Sequence, residues 1–232
     1  MQLLAGTSGF SYKEWCGEFY PPKLPARSML AHYAQRLPTV EINNTFYRLP
    51  NAATLAGWRA QVPQAFRFAI KVPRRITHLK RLKECEPELR LLLTALEALA
   101  PCLGPLLVQL PPYFRCDAGV LAAFIDELPA GCRAAFEFRH ESWLVPEVYR
   151  LLEAHDLALV QSESGDGFAP LPWTASWAYL RLRKVHYTDA DLGEWLARLD
   201  AGGADEAFVF FKHEDAATGP KLALQLLELA GR

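Results

Sequence analysis

Charged and amide side chains recur on one alternating phase near the C-terminal ends of five hydrophobic runs. They are Glu41, Asn43, Lys71, Gln109, Glu137, Arg139, Arg181 and Arg183. Successive side chains of a strand point to opposite faces, so polar residues at alternate positions of a run share a face. A buried parallel strand is normally apolar on both faces. The pattern therefore predicts a closed barrel with a ligand site at the C-terminal ends of its strands.

The two glutamates of this set, Glu41 and Glu137, are candidates for acid and base catalysis, because a carboxyl group in a barrel mouth can donate or accept a proton. The alternative is that each belongs to a buried ion pair with Lys71, Arg139 or Arg181 that serves the structure. A Glu137→Gln substitution distinguishes the two. Loss of turnover at an unchanged melting temperature indicates catalysis, and a collapse of stability indicates a structural pair.

Lys71 and His78 complete the predicted catalytic group. Lys71 ends a strand, where a lysine can act as a base, form a Schiff base or contact a phosphate. Neighbouring arginines would lower the pKa of Lys71 and the glutamates would raise it. A structural salt bridge is the alternative for this residue. His78 follows the same strand and is an acid/base candidate because histidine titrates near neutral pH.

Three arginines and a lysine accompany only two glutamates in the predicted mouth, which gives it a local cationic excess. Guanidinium groups bind phosphates and carboxylates well, so an anionic ligand is predicted, including a nucleic-acid backbone. We expect Arg139 and Arg181 to bind this ligand and Arg183 to reach water. Asn43 and Gln109 would orient the ligand or hold the charged side chains.

Aromatic residues occur in the loops after the predicted first, second and fifth strands. They are Tyr12, Trp15, Tyr20, Tyr47 and Trp143. Exposed rings at a barrel mouth would stack on a sugar or a nucleobase, and Tyr12 and Trp143 are the expected contacts. The alternative is that these rings pack the long loops onto the barrel.

Histidines that follow predicted strand ends raise the question of a metal. His78, His140 and His213 occupy such positions, and histidine with carboxylate ligands is a common metal site. The sequence has neither the H-x-H nor the H-E-x-x-H spacing, and it lacks a nucleophile elbow, a phosphate loop and a dinucleotide fingerprint. We therefore expect no metal and no other cofactor.

Strand-like and helix-like segments alternate along the chain. Eight segments are predicted strands: Leu3 to Thr7, Val40 to Thr45, Phe66 to Val72, Leu106 to Leu110, Ala134 to Phe138, Leu157 to Gln161, Tyr179 to Leu182 and Ala207 to Phe211. Helices separate most of them, although a loop follows the sixth. Right-handed crossovers between parallel strands predict a TIM-type (β/α)8 barrel. A doubly wound open sheet is the alternative.

Composition fits one domain over residues 1 to 232. A chain that is 51% hydrophobic can bury a large core at this length. The net charge of -1 argues against a broadly cationic surface, so an anion site must be local.

Five cysteines without a C-x-x-C pair suit a reducing compartment. No stretch is apolar enough to span a bilayer or form a signal-peptide core, so we expect a cytoplasmic protein without a membrane partner.

Several motifs in this chain resemble those of the YecE-like family, a domain of unknown function numbered 72. The motifs are Gly6 to Tyr12, Trp15, Gly17, Phe19 to Pro21, Val40 to Tyr47, Phe66 to Lys71, Ile76 to His78, Gln109 to Pro112 and Glu137 to Trp143. The resemblance runs in register through almost the whole chain. It implies a TIM-type barrel, and it implies no particular activity.

Three functions are compatible with these observations. The first is a cofactor-free hydrolase, lyase or isomerase that acts on a small anionic substrate, such as a phosphorylated sugar or nucleotide. The second is a nucleic-acid-binding or metal-dependent nuclease-like barrel, whose affinity would fall steeply with salt. The third is a non-catalytic module that binds a metabolite. The sequence does not specify the oligomeric state.

Overall fold

The computed structural model describes residues 1–163, 171–184, 186–212 and 215–231, and their strands form a single parallel sheet. The strands are β1 (Gln2–Ser8), β2 (Thr39–Ile42), β3 (Arg67–Lys71), β4 (Leu103–Gln109), β5 (Ala134–Glu137), β6 (Ala158–Leu159), β7 (Gln161–Glu163), β8 (Trp177–Leu182) and β9 (Glu206–Phe211). Their order across the sheet is β6-β5-β4-β3-β2-β1-β9-β8-β7. Neighbours in sequence are thus mostly neighbours in space, as right-handed crossovers require.

The two edges of this sheet are consecutive in the chain. β6 pairs with β5, β7 pairs with β8, and Val160 alone separates β6 from β7. The chain therefore joins the edges, and the sheet is a nearly closed barrel of eight staves whose sixth stave is broken in two. The predicted TIM-type barrel is confirmed.

The break in the sixth stave coincides with a contact from a residue further along the chain. The side chain of Thr174 accepts a hydrogen bond from the Leu159 N–H at 2.8 Å and donates one to the Leu157 carbonyl at 2.7 Å. A side chain thus takes the place that a neighbouring strand would fill beside β6. Residues 171–176, which lead into β8, contain neither helix nor strand, in agreement with the predicted irregularity after the sixth strand.

Helices cover the outside of the barrel. Those in the described part of the chain are α1 (Ala26–Ala34), α2 (Ala52–Arg59), α3 (Glu86–Leu96), α4 (Ala118–Asp126), α5 (Pro146–Ala154), α6 (Asp189–Ala201) and α7 (Thr218–Leu229). On α3, Leu89, Leu92 and Leu96 are buried at helical spacing. The predicted N-cap Asp117 accepts a hydrogen bond from Val120 N–H at 3.1 Å at the start of α4. Among the described residues, the helices all fall short of the length and apolar character of a membrane span.

The barrel interior has an apolar lower part and a polar upper part on the same strand phase. Ala69, Leu107, Ala135 and Tyr179 belong to the buried cluster inside the barrel. Lys71, Gln109, Glu137 and Arg181 each follow one of them by two positions. Side chains two positions apart share a strand face, so these polar groups enter the same interior one layer higher.

Candidate functional site

Five barrel strands and the residues that follow them bring charged side chains to the C-terminal mouth. We call this set the mouth cluster: Glu41, Lys71, Gln109, Glu137, Arg139, Arg181 and Arg183. The predicted convergence of these side chains is confirmed. The four cations and two carboxylates leave a formal excess of two positive charges.

Arg181 on β8 lies at the centre of the mouth cluster and is 2% exposed. Its Nη1 donates to Glu137 Oε2 at 2.5 Å, and its Nη2 donates to Glu41 Oε1 at 2.8 Å. Its Nε is buried and has no hydrogen-bond partner among the described residues. One guanidinium therefore bridges two carboxylates that enter the barrel from different strands.

Glu41 is held by four donors and has no exposed surface. Oε1 accepts from Ser8 at 2.7 Å, Asn43 at 2.9 Å and Arg181 at 2.8 Å, and Oε2 accepts from Tyr179 at 2.8 Å. Burial alone would raise the pKa of Glu41, but Arg181 and the hydrogen bonds outweigh burial and lower it. Glu41 is thus ionised, and both of its oxygens already accept hydrogen bonds, which favours a positioning role over the predicted acid/base role.

Glu137 is also enclosed by donors and is 3% exposed. Oε2 accepts from Gln109 at 2.7 Å besides Arg181, and Oε1 accepts from Nε and Nη2 of Arg139 at 3.1 and 2.9 Å. Arg183 Nη2 lies 3.7 Å from the same Oε1. Burial would raise the pKa of Glu137, but the three arginines lower it to about 2. A carboxylate of such low basicity is a poor proton acceptor near neutral pH.

Lys71 differs from both glutamates because its partners are uncharged. Its Nζ donates to Gln109 Oε1 at 2.9 Å and lies 4.3 Å from the centroid of the Phe46 ring. No carboxylate of the described residues forms an ion pair with it. Burial lowers the pKa of Lys71 to about 8, and Arg181 adds to this, against the opposing effect of the glutamates. The expected structural salt bridge is absent from the described part of the chain.

His78 lies on a π-helical turn, Arg75–Leu79, just after β3. Its Nδ1 is 2.8 Å from the Thr77 hydroxyl, and its ring packs edge-on against Phe46 with centroids 4.8 Å apart. Burial lowers the pKa of His78, and Lys71 lowers it further. His78 and Lys71 therefore contact the same aromatic ring, and His78 is neutral near pH 7.

A cavity of about 510 Å³ opens beside the mouth cluster, between β5 and β7. Its polar lining consists of Glu137, Arg139, His140, Glu141, Ser162 and Arg183. The Arg183 side chain is 20% exposed and faces Glu137 instead of reaching out to water, so its predicted position is wrong. The Nε of Arg183 has no hydrogen-bond partner within the described ranges. An anion in this cavity would meet donors on two sides.

The aromatic residues expected to contact a ligand pack the loops instead. Trp143 has no exposed surface, donates to the Phe114 carbonyl at 2.7 Å and stacks on Phe138 at 4.9 Å. Tyr12 is half-buried, donates to the Ser8 carbonyl at 2.7 Å and packs on Trp15. Short 3-10 turns after β1 and β5 fold these rings inward. The assignment of Trp143 to the rim is therefore corrected.

Sequence reasoning did not identify Phe46, Tyr179 and Ser162 as parts of the site. Tyr179 lies two positions before Arg181, so the strand phase was an available signal. Phe46 immediately precedes the singled-out Tyr47. Ser162 has no comparable signal because it belongs to the broken stave. Asn43, predicted to bind substrate or hold charges, donates to Glu41 and does the latter.

A metal ligand set is not found among the described residues, where no group of three or more histidine, cysteine, aspartate or glutamate side chains is suitably placed. Nδ1 of His140 accepts a hydrogen bond from Ser142 N–H at 3.1 Å at a short 3-10 turn. His213 lies outside the described residues.

Comparison with known proteins gives a family match over nearly the whole chain. A family model described as "Protein of unknown function DUF72" matches residues 4–232. The chain is 36% identical over 112 residues to UPF0759 protein YecE of Escherichia coli K12, a match covering 48% of this chain and 41% of YecE. It is 28% identical over 142 residues to UPF0759 protein YunF of Bacillus subtilis 168, covering 56% and 49%. These matches span about half the length of the curated relatives or less.

Solved structures share the fold. A DUF72 family protein from Enterococcus faecalis V583 superposes with a TM-score of 0.82 at 20% identity, over 100% of this chain and 96% of that one. A DUF72 family protein from Thermotoga maritima MSB8 superposes with a TM-score of 0.80 at 25% identity, over the whole of both chains. The barrel architecture is therefore common to these proteins.

Proposed function

The chain belongs to the DUF72 family of proteins of unknown function, and from this starting point we propose that it is an enzyme whose barrel mouth binds a small anionic substrate. The observation that carries the proposal is that Glu137 is shared by three arginines, Arg139, Arg181 and Arg183. Glu137 and Glu41 balance two of these three guanidinium groups, so one guanidinium charge remains within the mouth cluster. Glu141 also lines the cavity, at an exposed position. A phosphate or carboxylate of a substrate would complete this balance.

Arg139 and Arg183 are the groups that hold the anion in this proposal. Both line the cavity, and Arg139 keeps 39% of its side chain exposed. Arg181 is buried beneath them and has both carboxylates as partners. It therefore positions Glu137, and through Glu137 it fixes the two arginines above. Such fixed donors recognise an anion without paying for reorganisation when it binds.

Lys71 supplies the reactive group, with His78 nearby in support. The carboxylates are saturated with donors, whereas an amine whose pKa is about 8 is roughly one-tenth deprotonated at pH 7 and fully capable of returning the proton. A group of this kind suits a lyase or an isomerase that moves a proton at carbon. Glu41 and Glu137 then act by holding the arginines.

Thermal shift with inorganic phosphate tests anion binding. We expect phosphate to raise the melting temperature of the native protein and to have no effect on Arg183→Gln or Arg139→Gln. Arg150→Gln is the matched control, because Arg150 is exposed on the outer helix α5. Equal shifts in all four proteins would overturn the proposal. If the shifts differ as expected, mass spectrometry of small molecules that copurify with the protein is the way to identify the substrate.

Binding of a nucleic-acid strand is a second candidate, supported by the rim over β2 to β4. Residues 71–83 contain six lysines and arginines and no acidic residue. Arg75 and Lys80 pair with Glu88, and Lys83 lies 3.7 Å from Asp117, so Arg74 and Arg81 are the rim arginines without an ion pair among the described residues. Beside them Tyr47 and Tyr113 are 77% and 63% exposed, and the Tyr113 hydroxyl lies 3.4 Å from the His78 carbonyl oxygen. Cations interleaved with exposed rings suit a single strand, whose bases stack and whose phosphates pair with the cations.

Fluorescence anisotropy with a labelled single-stranded oligonucleotide tests this second candidate. We expect affinity to fall steeply with salt and to weaken in an Arg74→Gln, Arg81→Gln double variant, while Arg150→Gln binds normally. Absence of binding, or binding that is independent of salt, would remove nucleic acid from consideration.

A cytoplasmic location is also part of the proposal. All five cysteines are free thiols, and burial raises the pKa of Cys132 to about 11, which keeps that thiol protonated and unreactive. Free cysteines are typical of proteins that work in a reducing compartment.

A further inference from the structure

We propose that Lys71 forms a Schiff base with a small aldehyde or ketone that also carries a phosphate or carboxylate group. This inference rests on the proposed anion-binding function and narrows its substrate class to anionic carbonyl compounds. Three features support it: the neutral surroundings of the amine, the distance between the amine and the anion site, and the charges that face the amine.

The surroundings of the Lys71 amine leave it free to react. Its acceptor is an amide oxygen of Gln109, and its other neighbour is the face of Phe46. The Gln109 amide has a fixed orientation, because its Nε2 donates to the Glu137 carboxylate at 2.7 Å and its oxygen must then point to Lys71. A carboxylate in the place of this amide would hold the amine protonated, and a protonated amine is not a nucleophile.

The charges that face Lys71 come from four elements. Arg181 on β8 and Arg139 after β5 disfavour the ammonium form, and Glu41 on β2 and Glu137 on β5 favour it. Burial is the largest influence and acts with the arginines, which brings the pKa of Lys71 to about 8. A useful fraction of free amine is therefore present at neutral pH. Lys221 differs from Lys71 in its surroundings, because it is exposed and its amine is paired with the Glu18 carboxylate.

The distance between amine and anion site suits a short substrate. A chain of hydrogen bonds leads from Lys71 through Gln109 and Glu137 to Arg139, with donor–acceptor distances of 2.9, 2.7 and 2.9 Å. These residues lie on or directly after β3, β4 and β5, which are adjacent staves. Two stave spacings amount to about 10 Å between β3 and β5. We infer that the two side chains converge at the mouth above β4, so that one molecule can place its carbonyl at Lys71 and its anionic group at Arg139.

The covalent step is balanced without any other reactant. The Nζ lone pair attacks the carbonyl carbon, and the two hydrogens of the neutral amine leave with the carbonyl oxygen as water. A carbon–nitrogen double bond replaces the carbon–oxygen double bond. Protonation of this imine makes it an electron sink, so an adjacent C–H or C–C bond can break and later reform. Nothing is oxidised or reduced in the sequence.

Reductive trapping tests the inference. The probe is glyceraldehyde 3-phosphate with sodium cyanoborohydride at pH 7.5, and peptide mass spectrometry compares the adduct at Lys71 with that at Lys221 in the same sample. We expect Lys71 to be modified about tenfold faster, because burial and the arginines increase the fraction of its free amine at this pH. Lys71→Arg keeps the positive charge and should lose the fast adduct. Equal rates at Lys71 and Lys221 would overturn the inference.

A second probe separates this inference from the function on which it rests. Uncharged glyceraldehyde reacts without an anion site, so we expect it to label Lys71 more slowly than the phosphate ester in the native protein. In Arg183→Gln the two probes should become equal. If both probes label Lys71 equally fast in the native protein, and faster than Lys221, the Schiff base stands and anion binding fails. If phosphate shifts the melting temperature but neither probe favours Lys71, anion binding stands and the Schiff base is overturned.

Discussion

The amide oxygen of Gln109 accepts a hydrogen bond from Lys71 Nζ at 2.9 Å. The same amide donates to Glu137 at 2.7 Å, so a neutral group separates the amine from the carboxylate. This separation explains how one barrel mouth holds an ionised glutamate and a lysine of low basicity at the same time. If Lys71 instead paired directly with a carboxylate, its pKa would rise towards or above the ordinary value.

Replacement of Gln109 by glutamate removes this separation. In Gln109→Glu we expect the pKa of Lys71 to rise by about one to two units from its value near 8, because the new carboxylate favours the ammonium form. The pH dependence of reductive labelling at Lys71 measures the change. Gln109→Met is the control, since it has a similar shape and no charge. A labelling midpoint that stays near its original pH in Gln109→Glu would contradict this account.

Removal of the charge on Glu137 should destabilise the fold. In Glu137→Gln, Arg181 keeps Glu41 but the three arginines lose their shared anion, and we expect a loss of about 3–5 kcal/mol in the free energy of unfolding. Urea denaturation measures it. Glu141→Gln, at an exposed position four residues along the chain, should change stability by less than about 0.5 kcal/mol. A similarly small effect in Glu137→Gln would show that the carboxylate does not hold the cluster.

Acid should weaken the protein through the same carboxylate. The pKa of Glu137 falls from an ordinary 4.5 to about 2 on folding, and that of Glu41 is also lowered. A carboxyl group whose pKa is lower in the folded protein makes its full contribution to stability at pH values above its pKa in the unfolded chain. That contribution is lost as the pH falls towards its pKa in the folded protein. We expect Glu137 to account for about 3 kcal/mol of the loss between pH 5 and pH 2. Denaturation curves at several pH values should be flatter for Glu137→Gln; parallel curves would refute the assignment.

The ammonium form of Lys71 should destabilise the fold, so stability should increase as this group loses its proton. Its pKa is about 8 in the fold and 10.5 as an ordinary lysine, so the unfolded chain binds more protons between these values and stability rises as pH increases from 8 to 10.5. Allowing for its partial exposure, the gain is about 1–2 kcal/mol. Lys71→Met should lose this rise, lose the reductive adduct with glyceraldehyde 3-phosphate and be no less stable at pH 7. A marked drop in its melting temperature at pH 7 would assign Lys71 a structural role.

Strand periodicity accounts for the parts of the site that were predictable. Glu41, Glu137 and Arg181 meet inside the barrel because alternate residues share a strand face, a rule that needs only local sequence. The position of Trp143 depends on a 3-10 turn and on Phe114, 29 residues away, and no local pattern specifies such a contact. The same holds for the broken sixth stave, since Leu157 to Val160 is a continuous apolar run and the contact with Thr174 comes from further along the chain.

The sequence could not predict whether the two carboxylates are catalytic or structural. Catalytic and structural readings of Glu41 and Glu137 differ in how many donors surround each oxygen, and that number depends on residues from several staves. The identity of Ser8, Tyr179 and Gln109 as those donors follows only from the closed barrel. Residue type and phase thus located the site, and three-dimensional packing decided which of its members are free to react.

The broken stave gives the barrel a seam. β6 is bonded to β5 and β7 to β8, and Val160 links them through the chain. Widening of the barrel at this line would break the hydrogen bonds of Thr174 to Leu157 and Leu159 but leave the interstrand ladders intact, and Ser162, which lines the cavity, would move with it. We expect amide hydrogen exchange to be faster in β6 and β7 than in β1 and β9; uniform exchange would argue against it. The width of a molecule that the cavity accepts would then depend on how far the backbone opens at the break between β6 and β7. The charge of that molecule would depend on the arginines.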